Sequence, residues 1–110
     1  MKISIIIPVL NEEHTISKLL DYLDETQNSE LISEVIVVDG GSTDTTLEIL
    51  KSHPSIKVIH SPKGRSVQMN IGAKTASCEA FYFLHCDSFP PKNFDYEIVK
   101  KIQNGKFRLS

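Results

Sequence analysis

Residues able to bind a charged, hydroxyl-rich ligand follow each of four short apolar segments of this sequence. Carboxylates accept hydrogen bonds from ribose hydroxyls or a base N–H, cations bind phosphate, and carboxylate and imidazole groups bind divalent metals. Together these residue types fit a nucleoside diphosphate and its metal, provided that the four segments lie side by side. In chain order the residues are Pro8, Asn11 and Glu12; Asp39, Gly40 and Gly41; Lys63, Gly64 and Arg65; and His85 and Asp87.

The four apolar segments are predicted to be strands that are covered on both faces. They are rich in β-branched and aromatic residues and do not alternate with polar ones. The stretches between them carry apolar residues at helical spacing. The predicted strands are Ile3–Ile7, Val35–Val38, Ile56–Ile59 and Phe81–Leu84, and the predicted helical stripes are Ile16, Leu19, Leu20 and Leu23, then Leu47 and Leu50, then Val67 and Ile71, where Gly72, Ala73 and Ala76 permit close packing.

Capping residues predict where the helices begin. Asn11 before two glutamates suits the N-cap of the first helix, and Thr45 with Glu48 fits a capping box for the second. A fourth helix is expected after Pro90-Pro91, ending at Asn104-Gly105. The alternation of strands and helices predicts one α/β domain over residues 1–110, with a Rossmann-like, mostly parallel sheet of about four strands flanked by helices.

Ligands of such sheets bind beyond the carboxyl ends of the strands, so the polar residues there have two interpretations each. Asp39 either binds the ligand or caps the turn of the Gly-Gly sequence that follows it. Lys63 and Arg65 either form a phosphate site at a helix start or belong to a solvated basic loop. His85 either ligates a metal with Asp87 or is a partly buried, hydrogen-bonded imidazole.

Several classes of protein are disfavoured by composition and motif. A net charge of −2 and a pI near 6.0 give no basic face for nucleic acid. The sequence has neither GxxxxGK[ST] nor GxGxxG, and its two cysteines, Cys78 and Cys86, lack CxxC spacing and are expected to be reduced thiols. The N-terminal apolar segment is too short for a signal peptide or a membrane span, so a cytoplasmic location, with access to a membrane surface, is expected.

With these residues assembled, the chain resembles the N-terminal half of a family 2 glycosyltransferase, a nucleotide-sugar enzyme of the GT-A fold. Four segments carry the resemblance, in the family's order and near its spacing. A sugar-nucleotide pyrophosphorylase is disfavoured, because no glycine-rich signature loop with lysine lies near the N-terminus. The segments are "ISIIIPVLNEE", "EVIVVDGGSTDTT", "GRSVQMNIGAK" and "FYFLHCDS".

The resemblance implies a role for each matching residue. Pro8, Val9 and Glu12 are expected to border the base and ribose of a nucleoside diphosphate, most often UDP. Asp39 is expected to bond the base, and the glycine at position 41 to let the backbone approach the ligand. Arg65 is expected to approach the base or diphosphate. The residues carried over are Pro8, Val9, Glu12, Asp39, Gly41 and Arg65, with Asn70 bracing the helix behind the loop.

The metal ligand and the acceptor side complete what the resemblance implies. Asp87 matches the metal-binding aspartate of the family's DxD motif, for Mn²⁺ or Mg²⁺, whereas His85 replaces the first acid. Met69 stands where many members have arginine. The general base and the hydroxyl acceptor site belong to the family's C-terminal half. The chain is therefore expected to be a donor-binding portion that ends early and transfers no sugar alone, with a non-catalytic nucleotide-binding module as the alternative.

The expected strand Phe81–Leu84 would then lack its usual neighbours in a longer sheet. An unpaired strand edge with aromatic residues favours pairing with another chain. The C-terminal "GKFRLS" segment resembles the start of a further strand that could supply this pairing. Self-association, such as a homodimer, is therefore expected.

Overall fold

Strands and helices alternate along the chain, as the apolar pattern predicts. The computed structural model describes residues 3–26, 32–78 and 80–86, and the expected fourth helix and the "GKFRLS" segment lie outside these ranges. In order, the elements are β1 (Ile3–Val9), α1 (Ile16–Thr26), β2 (Ile32–Asp39), α2 (Thr46–Lys51), β3 (Lys57–His60), α3 (Arg65–Thr75) and β4 (Ala80–Phe83).

The described strands form one parallel sheet in the order β3-β2-β1-β4. β1 occupies a central position, where Ile5 pairs with Val35 of β2 and with Tyr82 of β4. The side chains of residues 3–7 in β1 are fully buried, and that of Pro8, which follows them, is half-buried. The prediction of a parallel sheet is confirmed, and β1 and most of β2 are covered on both faces as expected. The same prediction is wrong for β3, whose residues are exposed or half-buried because it lies at an edge of the described sheet. Within the described ranges, no helix is long and apolar enough to span a membrane.

Each face of the sheet has its own hydrophobic cluster, because alternate residues of a strand point to opposite faces. On one face Ile5 and Ile7 of β1 pack with Leu19 and Leu23 of α1 and Leu50 of α2. On the other, Ile6, Ile36 and Val38 pack with Ala73 and Ala76 at the end of α3 and just beyond it. Helices therefore cover both faces, as the sequence predicts.

α3 lies very close to the sheet at Gly72. A Cβ atom at this position would lie 2.5 Å from Ile6 Cγ2 and 3.1 Å from Val38 Cγ2, closer than side chains normally approach. The predicted role of small residues in α3 is thereby confirmed. The prediction that Val67 belongs to the buried stripe is wrong, because its side chain is 40% exposed. The buried residues of α3 are Gln68 and Gly72, and Val67 is rotated about 100° from Gln68 around the helix.

The predicted start of the first helix is wrong, and that of the second is confirmed in position but not in its capping bond. Asn11 has a φ of 53° and so is not an N-cap; α1 begins at Ile16, whose N–H donates to the Glu12 carbonyl at 2.9 Å. At α2, Thr45 occupies the N-cap position without a side-chain capping bond. Instead, Asp44 Oδ1 accepts the Thr46 N–H at 2.8 Å.

Glu34 joins several elements near the amino ends of the strands. Its Oε2 accepts hydrogen bonds from Ser4 Oγ of β1 at 2.7 Å and from the Ser77 N–H and hydroxyl at 2.6 and 2.8 Å. Lys57 Nζ of β3 lies 3.8 Å from Oε1. Burial alone would raise the pKa of Glu34, but the hydrogen bonds from Ser77 and Ser4 bring the pKa below its ordinary value. Glu34 therefore stabilises the sheet at the end opposite the polar loops.

Candidate functional site

Three strands end side by side at the carboxyl edge of the sheet. Val9 of β1 pairs with Asp39 of β2, which in turn pairs with His60 of β3. The loop that follows each strand therefore starts from one short line of residues. This is the convergence that the sequence predicts for a parallel sheet.

A cavity of about 220 Å³ lies at this edge, between the end of β1 and the start of α3. The β1 side contributes a proline, a valine and a carboxylate, and the α3 side contributes two cations. Four residues that the sequence analysis assigned to the nucleotide, Pro8, Val9, Glu12 and Arg65, are thus brought together. The lining residues are Pro8, Val9, Leu10, Glu12, Lys63, Gly64, Arg65 and Gln68.

Asp39 adjoins this cavity through its strand partner Val9 and is only 2% exposed. Its Oδ2 accepts the Gly41 N–H at 3.0 Å and the Ser42 N–H at 3.1 Å, and His60 Nδ1 lies 3.8 Å away. The turn-capping interpretation of Asp39 is therefore observed. The contact of Oδ1 with the Ser42 N–H is longer, at 3.4 Å, so Oδ1 is the less strongly hydrogen-bonded of the two carboxylate oxygens.

The two glycines after Asp39 are required for different reasons. Gly41 has a φ of 104° with no atom within 4 Å of a built Cβ, so its backbone conformation alone favours glycine. At Gly40 a Cβ would lie 2.9 Å from Gln68 Cδ and 3.0 Å from both polar atoms of the Gln68 amide. Gly40 is thus needed because the side chain of Gln68 lies against it.

Asn11 joins the loop after β1 to the loop after β2. Its Oδ1 accepts the Thr43 N–H at 2.8 Å and the Asp44 N–H at 3.3 Å, while its own N–H donates to Ser42 Oγ at 2.9 Å. Asparagine also tolerates the left-handed conformation found here better than most residues. One side chain therefore fixes the position of the loop after β2 relative to the loop after β1, which lines the cavity.

The two glutamates after Asn11 extend this connection. The Glu12 N–H donates to Thr46 Oγ1 at 2.9 Å, and Glu13 Oε2 accepts the Thr45 N–H at 3.1 Å and the Thr45 hydroxyl at 2.7 Å. The hydrogen bonds from Thr45 lower the pKa of the Glu13 carboxyl. These contacts, which the sequence analysis missed, explain why an "NEE" segment and an "STDTT" segment occur in one chain: each satisfies the polar groups of the other.

Gln68 is a second residue that the sequence analysis missed. It is 4% exposed, and its Nε2 donates to the carbonyl oxygens of Val9 and Val38, each at 2.9 Å. α3 is thereby held to the ends of β1 and β2. The family resemblance predicts that Asn70 braces this helix, but Asn70 lies exposed on α3. The contacts that hold α3 to the strand ends are made by Gln68. A polar residue at the sheet-facing helical position was the signal in the sequence.

The candidate metal ligands lie after β4. Leu84 donates its N–H to the Ile6 carbonyl at 2.9 Å, which holds the end of β4 beside β1, and the half-buried His85 follows it. Asp87 lies outside the described residues. Across residues 3–26, 32–78 and 80–86, no group of three or more His, Cys, Asp or Glu side chains is placed to hold a metal ion.

A parallel sheet with a polar cavity at its carboxyl edge has the arrangement in which open α/β domains bind their ligands. The family model described as Glycosyl transferase family 2 matches residues 4–109, and the chain belongs to this glycosyltransferase family. The predicted family and its GT-A type of fold are thus confirmed.

Two curated relatives show how far the similarity extends. The chain is 32% identical to a dolichol-phosphate mannosyltransferase of Pyrococcus furiosus over 110 residues, which cover 96% of this chain and 31% of the relative. It is 36% identical to a poly(ribitol-phosphate) beta-glucosyltransferase of Bacillus spizizenii over 122 residues, covering 98% of this chain and 19% of that protein. The chain therefore spans a third or less of the length of these relatives.

Solved structures show the same fold. Staphylococcus aureus TarS crystallised with UDP matches with a TM-score of 0.80 and 29% identity over 94% of this chain and 32% of that one. Glucosyl-3-phosphoglycerate synthase from Mycobacterium tuberculosis, in complex with Mn²⁺, UDP and phosphoglyceric acid, matches with a TM-score of 0.74 and 26% identity over 92% of this chain and 38% of that one.

Proposed function

We propose that the chain is the donor-binding part of a glycosyltransferase that binds a UDP-sugar at the carboxyl edge of the sheet. The observation that carries this proposal is the cavity in which Pro8, Val9, Glu12 and Arg65 meet beside Asp39. Glycosyl transferase family 2 membership supports it, as does the UDP bound to the similar TarS protein. The family membership and the named transferase relatives favour sugar transfer over a non-catalytic nucleotide-binding module.

Each side of the cavity has its own part in the proposed binding. The backbone of Pro8 and Val9, with Glu12, borders the base and ribose, and Asp39 accepts a hydrogen bond from the base through Oδ1. Lys63 and Arg65 at the start of α3 neutralise the diphosphate, where the exposed N–H groups of a helix start add to the favourable potential. Gly41 lets the backbone of the β2–α2 loop approach the nucleotide.

A divalent metal would be held by Asp87, with His85 as a second ligand. The donor types fit, because imidazole nitrogen suits Mn²⁺ and carboxylate suits both Mn²⁺ and Mg²⁺. His85 follows the end of β4, beside β1, on the edge that carries the cavity. When bound, the ion supplies positive charge that stabilises the departing diphosphate. The similar mycobacterial synthase crystallised with Mn²⁺ and UDP supports this choice of ion.

For the acceptor we propose only its chemical class, a molecule with a free hydroxyl group. A hydroxyl group of the acceptor attacks the sugar after a general base removes its proton, and we propose that this base comes from outside the donor-binding part.

A cytoplasmic location, at or near a membrane surface, stays a prediction. Self-association also stays a prediction; β4 is at the edge of the described sheet, and light scattering that gives a mass near 12.4 kDa would contradict it.

Isothermal titration of UDP in the presence of Mn²⁺ tests the proposed function. We expect the wild-type chain to bind, and Arg65→Ala to weaken binding by about 10-fold or more, because a charge-assisted contact to phosphate is worth about 1.5–3 kcal/mol. Lys74→Ala is the matched control, since Lys74 is an exposed cation in the last turn of the same helix. A folded chain that binds no UDP at millimolar concentration, or equal losses in the two variants, would contradict the proposal.

A further inference from the structure

Gln68 is buried at the wall of the cavity, and its amide joins α3 to the ends of β1 and β2. The side chain is 4% exposed and is one of the residues that line the cavity. A buried amide is costly unless its polar atoms find partners. Its presence at a position that faces the sheet therefore needs an explanation beyond packing.

The orientation of this amide follows from its two partners. Val9 and Val38 both present carbonyl oxygens, each 2.9 Å from Nε2. A carbonyl oxygen only accepts, so the NH₂ group must face this pair, and exchanging the amide nitrogen and oxygen would place acceptor against acceptor. Oε1 is consequently directed away from both carbonyls.

Both hydrogen bonds of the Gln68 side chain are made by Nε2. Among residues 3–26, 32–78 and 80–86, no donor is directed at Oε1. Gly40 lies against the same amide, with space for no Cβ atom, so that the side chain cannot move toward β2. Because Gln68 lines the cavity, a ligand there is well placed to supply the missing donor. The N–H and O–H groups of a nucleoside are donors of the required type.

We propose that Gln68 is a nucleotide-binding residue, whose Oε1 accepts a hydrogen bond from the base N–H or a ribose hydroxyl of the donor. In the same side chain, Nε2 fixes the ends of β1 and β2 against α3. This inference rests on the proposed function, since it names a further contact of the same site. The direct contact distinguishes it from a purely structural role, in which Gln68 would support the fold without touching the ligand.

Binding of UDP analogues to wild-type and Gln68→Met chains tests this contact. The analogues are 2′-deoxy-UDP, 3′-deoxy-UDP and N3-methyl-UDP, each of which removes one donor group. We expect one analogue to bind wild type about 3- to 10-fold more weakly than UDP, the effect of one hydrogen bond, and to show no such loss with Gln68→Met. The analogue that shows this coupling identifies the donor as a hydroxyl or as the base N–H.

A second variant covers the case in which Gln68→Met does not fold. Gly40→Ala keeps the amide but displaces it, and should abolish the same analogue penalty. If wild type binds UDP but all three analogue penalties persist unchanged in either folded variant, Gln68 does not contact the nucleoside and the inference is overturned. If folded wild type fails to bind UDP at all, the proposed function itself falls, and this inference with it.

Discussion

The contact between Gly40 and Gln68 predicts that one added methyl group at position 40 lowers the free energy of unfolding only when the Gln68 side chain is present. In Gly40→Ala the added Cβ would lie 2.9–3.0 Å from three atoms of the Gln68 amide. The backbone of Gly40 does not resist the change, because the glycines with positive φ among the described residues are Gly41 and Gly64. The amide must therefore move, and its two bonds from Nε2 to the Val9 and Val38 carbonyls are lost or weakened.

The expected cost follows from those two hydrogen bonds. Each contributes about 0.5–1.5 kcal/mol net, so their loss in Gly40→Ala should cost about 1–3 kcal/mol of the free energy of unfolding. The gain of up to about 1 kcal/mol from restricting the unfolded chain offsets part of this cost and acts in both backgrounds, so that it cancels from the coupling. Without the amide, alanine at this position fits and gains up to about 1 kcal/mol, because it restricts the unfolded chain more than glycine does. In a Gln68→Ala background the same change should therefore cost nothing or be slightly stabilising.

Urea unfolding followed by circular dichroism measures this for the four proteins of the double-mutant cycle. The coupling free energy between Gly40 and Gln68 should be about 1–3 kcal/mol, as expected for residues in direct contact. Gly41→Ala serves as the control, since its cost arises from its φ of 104° and should be the same in both backgrounds. Equal costs of Gly40→Ala with and without Gln68 would refute the reasoning.

Two further predictions concern stability, and a third concerns metal dependence. Glu34→Gln should lower the free energy of unfolding by about 1–3 kcal/mol at pH 7. Because the pKa of Glu34 in the folded protein lies below the ordinary 4.5, the full loss of stability should be seen above about pH 4.5 and should vanish as the pH falls through the folded pKa. Urea titrations at several pH values measure this. Gly72→Ala should destabilise by about 1–3 kcal/mol through overpacking against Ile6, measured as a lower urea midpoint. By calorimetry, Asp39→Ala should weaken UDP binding with or without Mn²⁺, whereas Asp87→Ala should remove only the enhancement by Mn²⁺; equal losses under both conditions would contradict these separate roles.

The parallel sheet and the carboxyl-edge site could be predicted from the sequence because both follow from patterns within single segments. Four non-alternating apolar runs are typical of a covered parallel sheet, and a parallel sheet brings the ends of its strands together. Pro8, Val9, Glu12 and Arg65 meet for that reason alone. No contact between loops had to be known in advance.

The helix starts and the role of Gln68 could not be predicted in the same way, because their partners are distant in the chain. Asn11 bonds to Thr43, and Glu13 to Thr45, each across 32 positions. Local capping rules assign such side chains to their own helices, so the rules failed where an interloop partner was available. Gln68 interrupts the apolar pattern of α3, and only the carbonyls of Val9 and Val38, 59 and 30 positions away, explain its burial.

The central claim is the position of the nucleotide at the carboxyl edge, and an amide-resolved NMR titration with UDP tests it most directly. We expect the largest shift changes at the N–H groups of Leu10 and Gly64, which line the cavity, and of Gly41, which donates to Asp39. The N–H of Ser77, bound to Glu34 near the opposite ends of the strands, should stay unchanged. Changes centred on Ser77, or spread evenly over both ends of the sheet, would contradict the account.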